Sequence, residues 1–83
     1  MNASIKEAAK ALQAQSLTTR SELETLRQAI QVVAQTGEAM DLSRSDSGRQ
    51  CMSIIAKSEQ TINQLQNLIQ SISDLSVQIQ EIQ

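Results

Sequence analysis

Apolar residues recur every three or four positions along this chain, most regularly over residues 51–82. With Cys51 taken as heptad position a, positions a and d alternate without a slip to the end of the pattern. A stripe repeating every 3.5 residues stays on one face only when helices wind around each other, so the spacing predicts a coiled coil. Position e adds Ile55, Ile62 and Ile69, and this wider stripe favours a four-helix bundle.

The same heptad frame runs back through the rest of the 83 residues. Because a lone helix cannot hide such a stripe, we expect self-association as a homodimer or a four-helix assembly. The predicted oligomer core consists of the large apolar residues at positions a and d: Leu23, Leu26, Ile30, Val33, Met40, Cys51, Ile54, Leu65, Leu68, Ile72, Leu75, Ile79 and Ile82.

The chain reads as one all-α segment, residues 1–83, of uneven strength. Residues 1–20 have the weakest stripe and residues 51–83 the strongest. Residues 43–50 combine Ser, Asp and Gly, which often mark a loop. Since the heptad phase passes through them unshifted, an uninterrupted long helix is favoured. An αα-hairpin with its turn at 43–50 is the alternative.

Composition narrows the function classes further. The chain has no Phe, Tyr, Trp, Pro or His, and its net charge is −2. Without His and with scattered carboxylates, neither a metal site nor a nucleophile–base pair is expected, so we predict a non-enzyme without a cofactor. Nucleic-acid binding needs clustered Lys and Arg, and no apolar run reaches membrane-spanning length. We therefore expect neither nucleic-acid binding nor membrane insertion by this segment.

The single cysteine cannot form an internal disulfide. Because Cys51 occupies a heptad a position, we interpret it as a small buried apolar residue rather than a redox or catalytic one. In a parallel homodimer it could cross-link to its mate under oxidation.

Part of the pattern resembles the cytoplasmic signalling domain of methyl-accepting chemotaxis proteins. The likeness begins at Gly48, and the run 76–82 is similar to the family's Ser–x–x–Ile–x–x–Ile run. Residues 20–30 look like the family's entry into its bundle, although their distance from Gly48 is shorter than usual. The other residues that carry the resemblance are Met52, Ile55, Ile62, Leu65, Ile69, Ile72, Ser76, Gln78, Ile79 and Ile82.

The resemblance implies a descending helix of a bacterial chemoreceptor in the cytoplasm, as part of a membrane-anchored receptor. Such a helix passes conformational signals toward a hairpin tip that binds a histidine kinase and a coupling protein. That tip sequence is absent from this chain, so neither partner is expected to bind it. Adaptation in the family methylates Glu or Gln pairs, and Glu59 with Gln60, expected to face solvent at positions b and c, is the candidate pair.

The weak core positions have two interpretations. Gly37, Arg44, Ser47, Ser58 and Thr61 lower the packing energy of the predicted stripe, which suits a bundle that switches between two arrangements. Equally, they could only set the register of a purely structural oligomerisation coiled coil. Arg44 also resembles the central polar layer of a membrane-fusion helix of the SNARE type. Ser47, however, follows it directly where such a layer needs apolar neighbours, which argues against that class.

Overall fold

The computed structural model describes residues 3–82 and places nearly all of them in two long helices. Helix α1 spans Ala3–Ala39 and helix α2 spans Asp46–Glu81, with a short 3-10 helix at Leu42–Arg44 between them. None of the described residues lies in a strand, so the all-α prediction is confirmed. Residues 1, 2 and 83, the outermost parts of the predicted segments 1–20 and 51–83, lie outside the described range.

The uninterrupted helix that the heptad phase favoured is wrong, because the chain folds back into an αα-hairpin. This was the alternative prediction, but the turn occupies residues 40–45 instead of 43–50. Asp41 ends α1 by adopting the left-handed conformation, with φ of 54°. Ser45 is extended, and its side-chain oxygen accepts a hydrogen bond from the Gly48 backbone N–H at 3.0 Å, which caps the start of α2. The Ser, Asp and Gly residues of 43–50 therefore marked the N-cap of α2 rather than the whole turn.

Gly48 is required by how tightly the turn folds onto the start of α2. A Cβ built on Gly48 would lie 1.6 Å from the Leu42 carbonyl oxygen, closer than any side chain allows. The Arg49 guanidinium crosses the turn and donates to the Ser43 carbonyl oxygen at 2.9 Å, while also pairing with Asp46. Arg44, assigned to a core layer by the heptad frame, instead lies in the turn and pairs with Asp41 at 3.0 Å.

The two helices run antiparallel as a rod of 60 × 15 × 13 Å. We call the contact between them the seam. It consists of two rows of residues, which repeat with heptad spacing but do not occupy positions a and d on both helices. The apolar row joins position a of α1 to position e of α2. The polar row joins position e of α1 to position b of α2. The residues of the apolar row are Ala9, Ser16, Leu23, Ile30 and Gly37 on α1, and Gly48, Ile55, Ile62, Ile69 and Ser76 on α2.

Small side chains dominate the most buried part of the seam. Ala9 and Ile62 are its fully buried apolar residues, at 3% and 4% exposure. Buried Ser16 donates its hydroxyl to the Gln13 carbonyl oxygen at 2.8 Å, and buried Ser76 donates to that of Ser73 at 2.6 Å. Because these hydroxyls are satisfied within their own helices, they can be buried without an unpaired donor. The hairpin thus closes tightly while burying little apolar surface.

Side-chain hydrogen bonds in and beside the polar row fix how the helices align. The Arg20 guanidinium donates to the Gln70 side-chain oxygen at 2.7 Å, and the Gln66 amide donates to Glu24 at 3.1 Å. Near the open end, the Gln80 amide donates to the side-chain oxygen of Gln13 at 2.8 Å. These bonds hold one register along the hairpin, because a slip of either helix would separate all the pairs.

Candidate association face

Large aliphatic side chains lie outside the seam, along one side of the hairpin. Position d of α1 lies beside the apolar row, and positions a and d of α2 lie on the same side. We call this surface the outer apolar face and define it by eight residues. They are Ile5 (44% exposed), Leu12 (37%), Leu26 (49%) and Val33 (53%) on α1, and Ile54 (57%), Leu65 (40%), Leu68 (53%) and Leu75 (50%) on α2.

A groove shows that the two helices contribute to one continuous face. Leu26 of α1 and both Ile54 and Leu65 of α2 line the same open depression, whose volume is about 370 Å³. The seam residues Ile30 and Ile62 also line it. The residues predicted as core from their spacing therefore meet in space, but on the outside of the hairpin rather than between its helices.

Two hydroxyl residues, Ser58 and Thr61, and one charged residue, Lys57, also line this groove. The Ser58 hydroxyl donates to the Ile54 carbonyl oxygen at 2.8 Å, and the Thr61 hydroxyl donates to the Lys57 carbonyl oxygen at 2.9 Å. Both donors are satisfied by their own helix, so covering them with an apolar group would leave no unpaired O–H. The groove is thus a hollow compatible with an aliphatic side chain of a partner.

The opposite side of the hairpin is mostly polar, apart from the exposed Leu17, and carries a network of charged groups. A second groove, of about 590 Å³, is lined there by Arg20, Glu24 and Gln66 among others. Glu24 pairs with Arg27, and the hydrogen bond from that guanidinium lowers the pKa of Glu24 from 4.5 to about 2. The same pairing raises the pKa of Arg27. Charge therefore stabilises one side of the hairpin, while the outer apolar face is built from uncharged side chains.

The predicted core residues divide into two groups. Leu23 and Ile30 are half-buried in the apolar row, and Ile72 and Ile79 are half-buried beside it. The others are exposed in the single hairpin: Leu26, Val33, Met40, Cys51, Ile54, Leu65, Leu68, Leu75 and Ile82. Their burial in an oligomer stays a prediction.

Three placements correct the sequence interpretation. Met40 lies in the turn, outside both helices, and is 74% exposed. Cys51 is exposed, against its interpretation as a buried apolar residue, because the seam of α2 uses positions b and e rather than a. Glu59 is half-buried in the polar row instead of facing solvent, whereas Gln60 is exposed as expected.

The contributions of Ser73, Ser76 and Gln66 to the seam were missed from the sequence. Their signal was present, because positions 48, 52, 55, 59, 62, 66, 69, 73, 76 and 80 also alternate by three and four. The larger residues at positions a and d made the other stripe stand out.

Within residues 3–82 no helix is long and apolar enough to cross a membrane. The same residues contain no group of three His, Cys, Asp or Glu side chains placed to hold a metal ion. No protein family, curated protein or solved structure was found to match the chain. The outer apolar face is therefore the feature from which a function can be argued.

Proposed function

We propose that this protein is a non-enzymatic assembly module that self-associates through its outer apolar face, so that two hairpins form a four-helix bundle. The observation that carries the proposal is the eight aliphatic side chains left about half exposed along one side of the rod. Isolated soluble chains rarely expose a contiguous apolar surface of this extent unless it binds something.

The energetics favour association. Burying the exposed half of one Leu, Ile or Val is worth about 1 kcal/mol. Two copies then gain on the order of 15 kcal/mol, which is comparable to or larger than the association cost of about 4–15 kcal/mol. The seam alone buries fully only two apolar residues, Ala9 and Ile62. The hairpin is therefore expected to depend on covering its face.

A second copy is the partner that fits the face best. The residues of the outer apolar face repeat with heptad spacing on both helices, which is the spacing with which helices pack against each other in coiled coils. Each copy supplies both the large aliphatic side chains of the face and the hollow at Ser58 and Thr61. The chain thus carries a self-complementary surface, as a two-fold interface requires.

The direct test is sedimentation equilibrium with a matched pair of variants. The wild-type chain is expected to shift from 9.1 kDa to twice that mass in the micromolar range. Leu68→Asp should weaken association by at least about 100-fold, or about 2.8 kcal/mol, because it buries an unpaired carboxylate in the interface. Asn67→Asp adds the same charge on the neighbouring, polar-side position and should leave association unchanged.

Two results would refute the assembly function. One is a wild-type chain that stays a helical monomer at high concentration. The other is an equal loss of association in Leu68→Asp and Asn67→Asp, because the face would then have no special role. Circular dichroism of each variant separates loss of association from loss of helix.

A signalling role in a chemoreceptor remains a second proposal, and it rests on the sequence resemblance. In its favour, the hollow at Ser58 and Thr61 forms a soft layer beside an otherwise aliphatic surface, and soft layers suit a bundle with two arrangements. The resemblance implies one descending helix, whereas here α1 and α2 form a hairpin. Such a protein would act in the cytoplasm, and the histidine kinase and coupling protein would be reached through a tip outside this chain.

Methylation offers the test of that second proposal. Glu59 sits half-buried in the polar row, where a methyl ester would remove a charge next to α1, while neighbouring Gln60 is exposed. A peptide carrying a methyl ester at either residue, found by mass spectrometry after incubation with a chemoreceptor methyltransferase and a methyl donor, would support the signalling role. Modification confined to other residues would count against this pair.

A further inference from the structure

The hairpin's fixed alignment shows which parts of the two helices lie at the same height along the rod. Arg20 is hydrogen-bonded to Gln70 and Glu24 to Gln66, so the alignment is known near the middle. By the same count, Leu26 is level with Leu65. Each bulky residue of one helix can therefore be matched to the residue of the other helix that lies at the same height.

The outer apolar face has a hollow on α2, and we call the position of the smaller side chain Thr19 the hollow of α1. On α2 the hollow lies at Ser58 and Thr61, between Ile54 and Leu65, and it forms the groove of about 370 Å³. On α1 position d changes from aliphatic to polar at Thr19, midway between Leu12 and Leu26. The two hollows lie at different heights, because Ser58 is close to the turn and Thr19 is farther from it.

We propose that the two copies pack with their hairpins parallel, so that both turns lie at one end of the rod. This inference rests on the proposed self-association and specifies its geometry. A two-fold axis along the rod then sets α1 of each copy against α2 of the other, at equal height. Val33 and Leu26 of one copy face the hollow at Ser58 and Thr61 of the other.

The second hollow is matched in the same way. Thr19 lies at the height of Ile72, so in the parallel arrangement the α1 hollow faces the bulky Leu68 and Ile72 of the other copy. Large side chains thus oppose small ones on both pairs of helices, which is how layers interdigitate in well-packed bundles. Each hollow therefore lies opposite a larger side chain of the other copy.

Charge separates the parallel arrangement from the antiparallel one, in which the α2 hollow would also face large side chains. Glu22 lies next to the outer apolar face, near the midpoint of α1, which spans Ala3–Ala39. A fully overlapped antiparallel pair would set α1 against α1 and bring the two Glu22 carboxylates together at the rim, where like charges repel. The parallel pair instead places Glu22 beside the neutral side chains of Gln64 and Ser71 from the other copy.

The arrangement gives the assembly two different ends. Both turns, with their Asp41–Arg44 and Asp46–Arg49 pairs, lie together at one end. Both α1 starts and both α2 ends lie at the other. A parallel pair would therefore bring two copies of anything joined near Ala3 or Glu81 side by side, which an antiparallel pair would hold a rod length apart.

Distances between spin labels decide the orientation. Three exposed glutamines, Gln50, Gln64 and Gln78, share heptad position g along α2 and lie near the turn, the middle and the open end. Each is changed to Cys in turn, in a Cys51→Ser background, and labelled with a nitroxide. Sedimentation of each labelled chain first confirms that it still associates.

The parallel pair predicts nearly the same distance at all three sites, below about 30 Å, because only the width of a bundle with axes about 10 Å apart separates the labels. A fully overlapped antiparallel pair predicts about 50 Å for Gln50→Cys and about 35 Å for Gln78→Cys, at 1.5 Å per residue. Gln64→Cys is the control, because its labels lie close together in either orientation.

The outcomes separate this inference from the proposed function. Long distances at Gln50→Cys and Gln78→Cys, together with a short one at Gln64→Cys, would overturn the parallel geometry and leave self-association intact. A wild-type chain and labelled chains that all remain monomeric would overturn both. Equal short distances at the three sites support the parallel bundle.

Discussion

The seam buries small side chains most completely, whereas the outer apolar face exposes large aliphatic ones, although both follow the same heptad spacing. The seam buries Ala9, Ser16 and Ser76 almost completely, together with one large aliphatic residue, Ile62. The eight residues that define the outer apolar face are all large and aliphatic, and each of them remains 37–57% exposed. A chain designed by burial alone would place its largest apolar residues inside, so this distribution needs a reason.

The difference teaches how the two surfaces divide their roles. Small residues let the two helices approach closely, and the polar row with its Arg20–Gln70 and Gln66–Glu24 bonds fixes their register. The hairpin is thereby specified in geometry but stabilised little by apolar burial. The large residues outside supply the stabilisation once they are covered. Variants of the seam should therefore act on the hairpin itself, and variants of the face should act on association.

Removing the large buried side chain of the seam should have the greatest effect. Ile62→Ala is expected to lower the free energy of unfolding by about 3 kcal/mol, because Ile62 is only 4% exposed and truncating it leaves a cavity. Urea denaturation followed by circular dichroism measures the loss. Val32→Ala is the control, since Val32 is 61% exposed on α1 and should change the free energy little. Equal losses in the two variants would contradict the seam described here.

Changing the glycine at the start of α2, against which the turn packs, should have the next largest effect. Gly48→Ala is expected to lower the free energy of unfolding by about 2 kcal/mol, because the new Cβ would collide with the Leu42 carbonyl oxygen. Gly37→Ala is the matched control within the same hairpin. Its Cβ would lie 3.1 Å from the flexible Met52 sulfur, and the gain in helix propensity offsets the crowding. If both variants unfold at the wild-type urea concentration, the tight turn is not present in solution.

Trimming a residue of the outer apolar face should change association and leave the hairpin intact. Leu75→Ala is expected to weaken self-association by about 30-fold, or about 2 kcal/mol for the two substituted sites of a pair, because a half-exposed side chain on each copy loses its covering contact. Sedimentation equilibrium gives the association constant. The amide signals of the seam residues in nuclear magnetic resonance spectra should not move. A Leu75→Ala chain with wild-type association would remove this part of α2 from the interface.

The smallest expected effect is a dependence on pH from the polar side. The pKa of Glu24 is held at about 2 in the folded chain, below its ordinary 4.5, by the hydrogen bond from Arg27. The resulting stabilisation is complete above pH 4.5 and is lost as the pH falls toward 2. Glu24→Gln should therefore flatten the pH dependence of the urea midpoint over this range. Glu22→Gln, which has no such partner, should keep the wild-type profile; a flattened profile there would argue against the Glu24–Arg27 assignment.

Much of the fold was predictable from the sequence, and the part that failed has a physical cause. The absence of Pro and the heptad spacing predicted helices correctly. The direction of the chain at Asp41 was not predictable, because the heptad phase of α1 happens to continue into α2 across the turn. A local left-handed residue and a serine cap decided the reversal, and neither disturbs the periodic pattern.

The sequence predicted which residues form much of the outer apolar face, but not where that face lies on the hairpin. Leu26, Ile54, Leu65, Leu68 and Leu75 were all identified by their spacing as residues that need a partner. The sequence could not show that the two helices would meet through neighbouring heptad positions and leave these residues outside. Two overlapping stripes run along α2, and periodicity alone ranks the one with larger side chains first, whereas the close approach of small residues decided the actual seam.

Small-angle X-ray scattering over a range of concentrations tests the central claim most directly, because it reports mass and length together. A hairpin that associates along its outer apolar face should double its mass from 9.1 kDa while its longest dimension stays near 60 Å. A longest dimension of about 120 Å, the length of one continuous helix of this chain, would contradict the hairpin. A mass that stays at 9.1 kDa at every concentration would contradict the association.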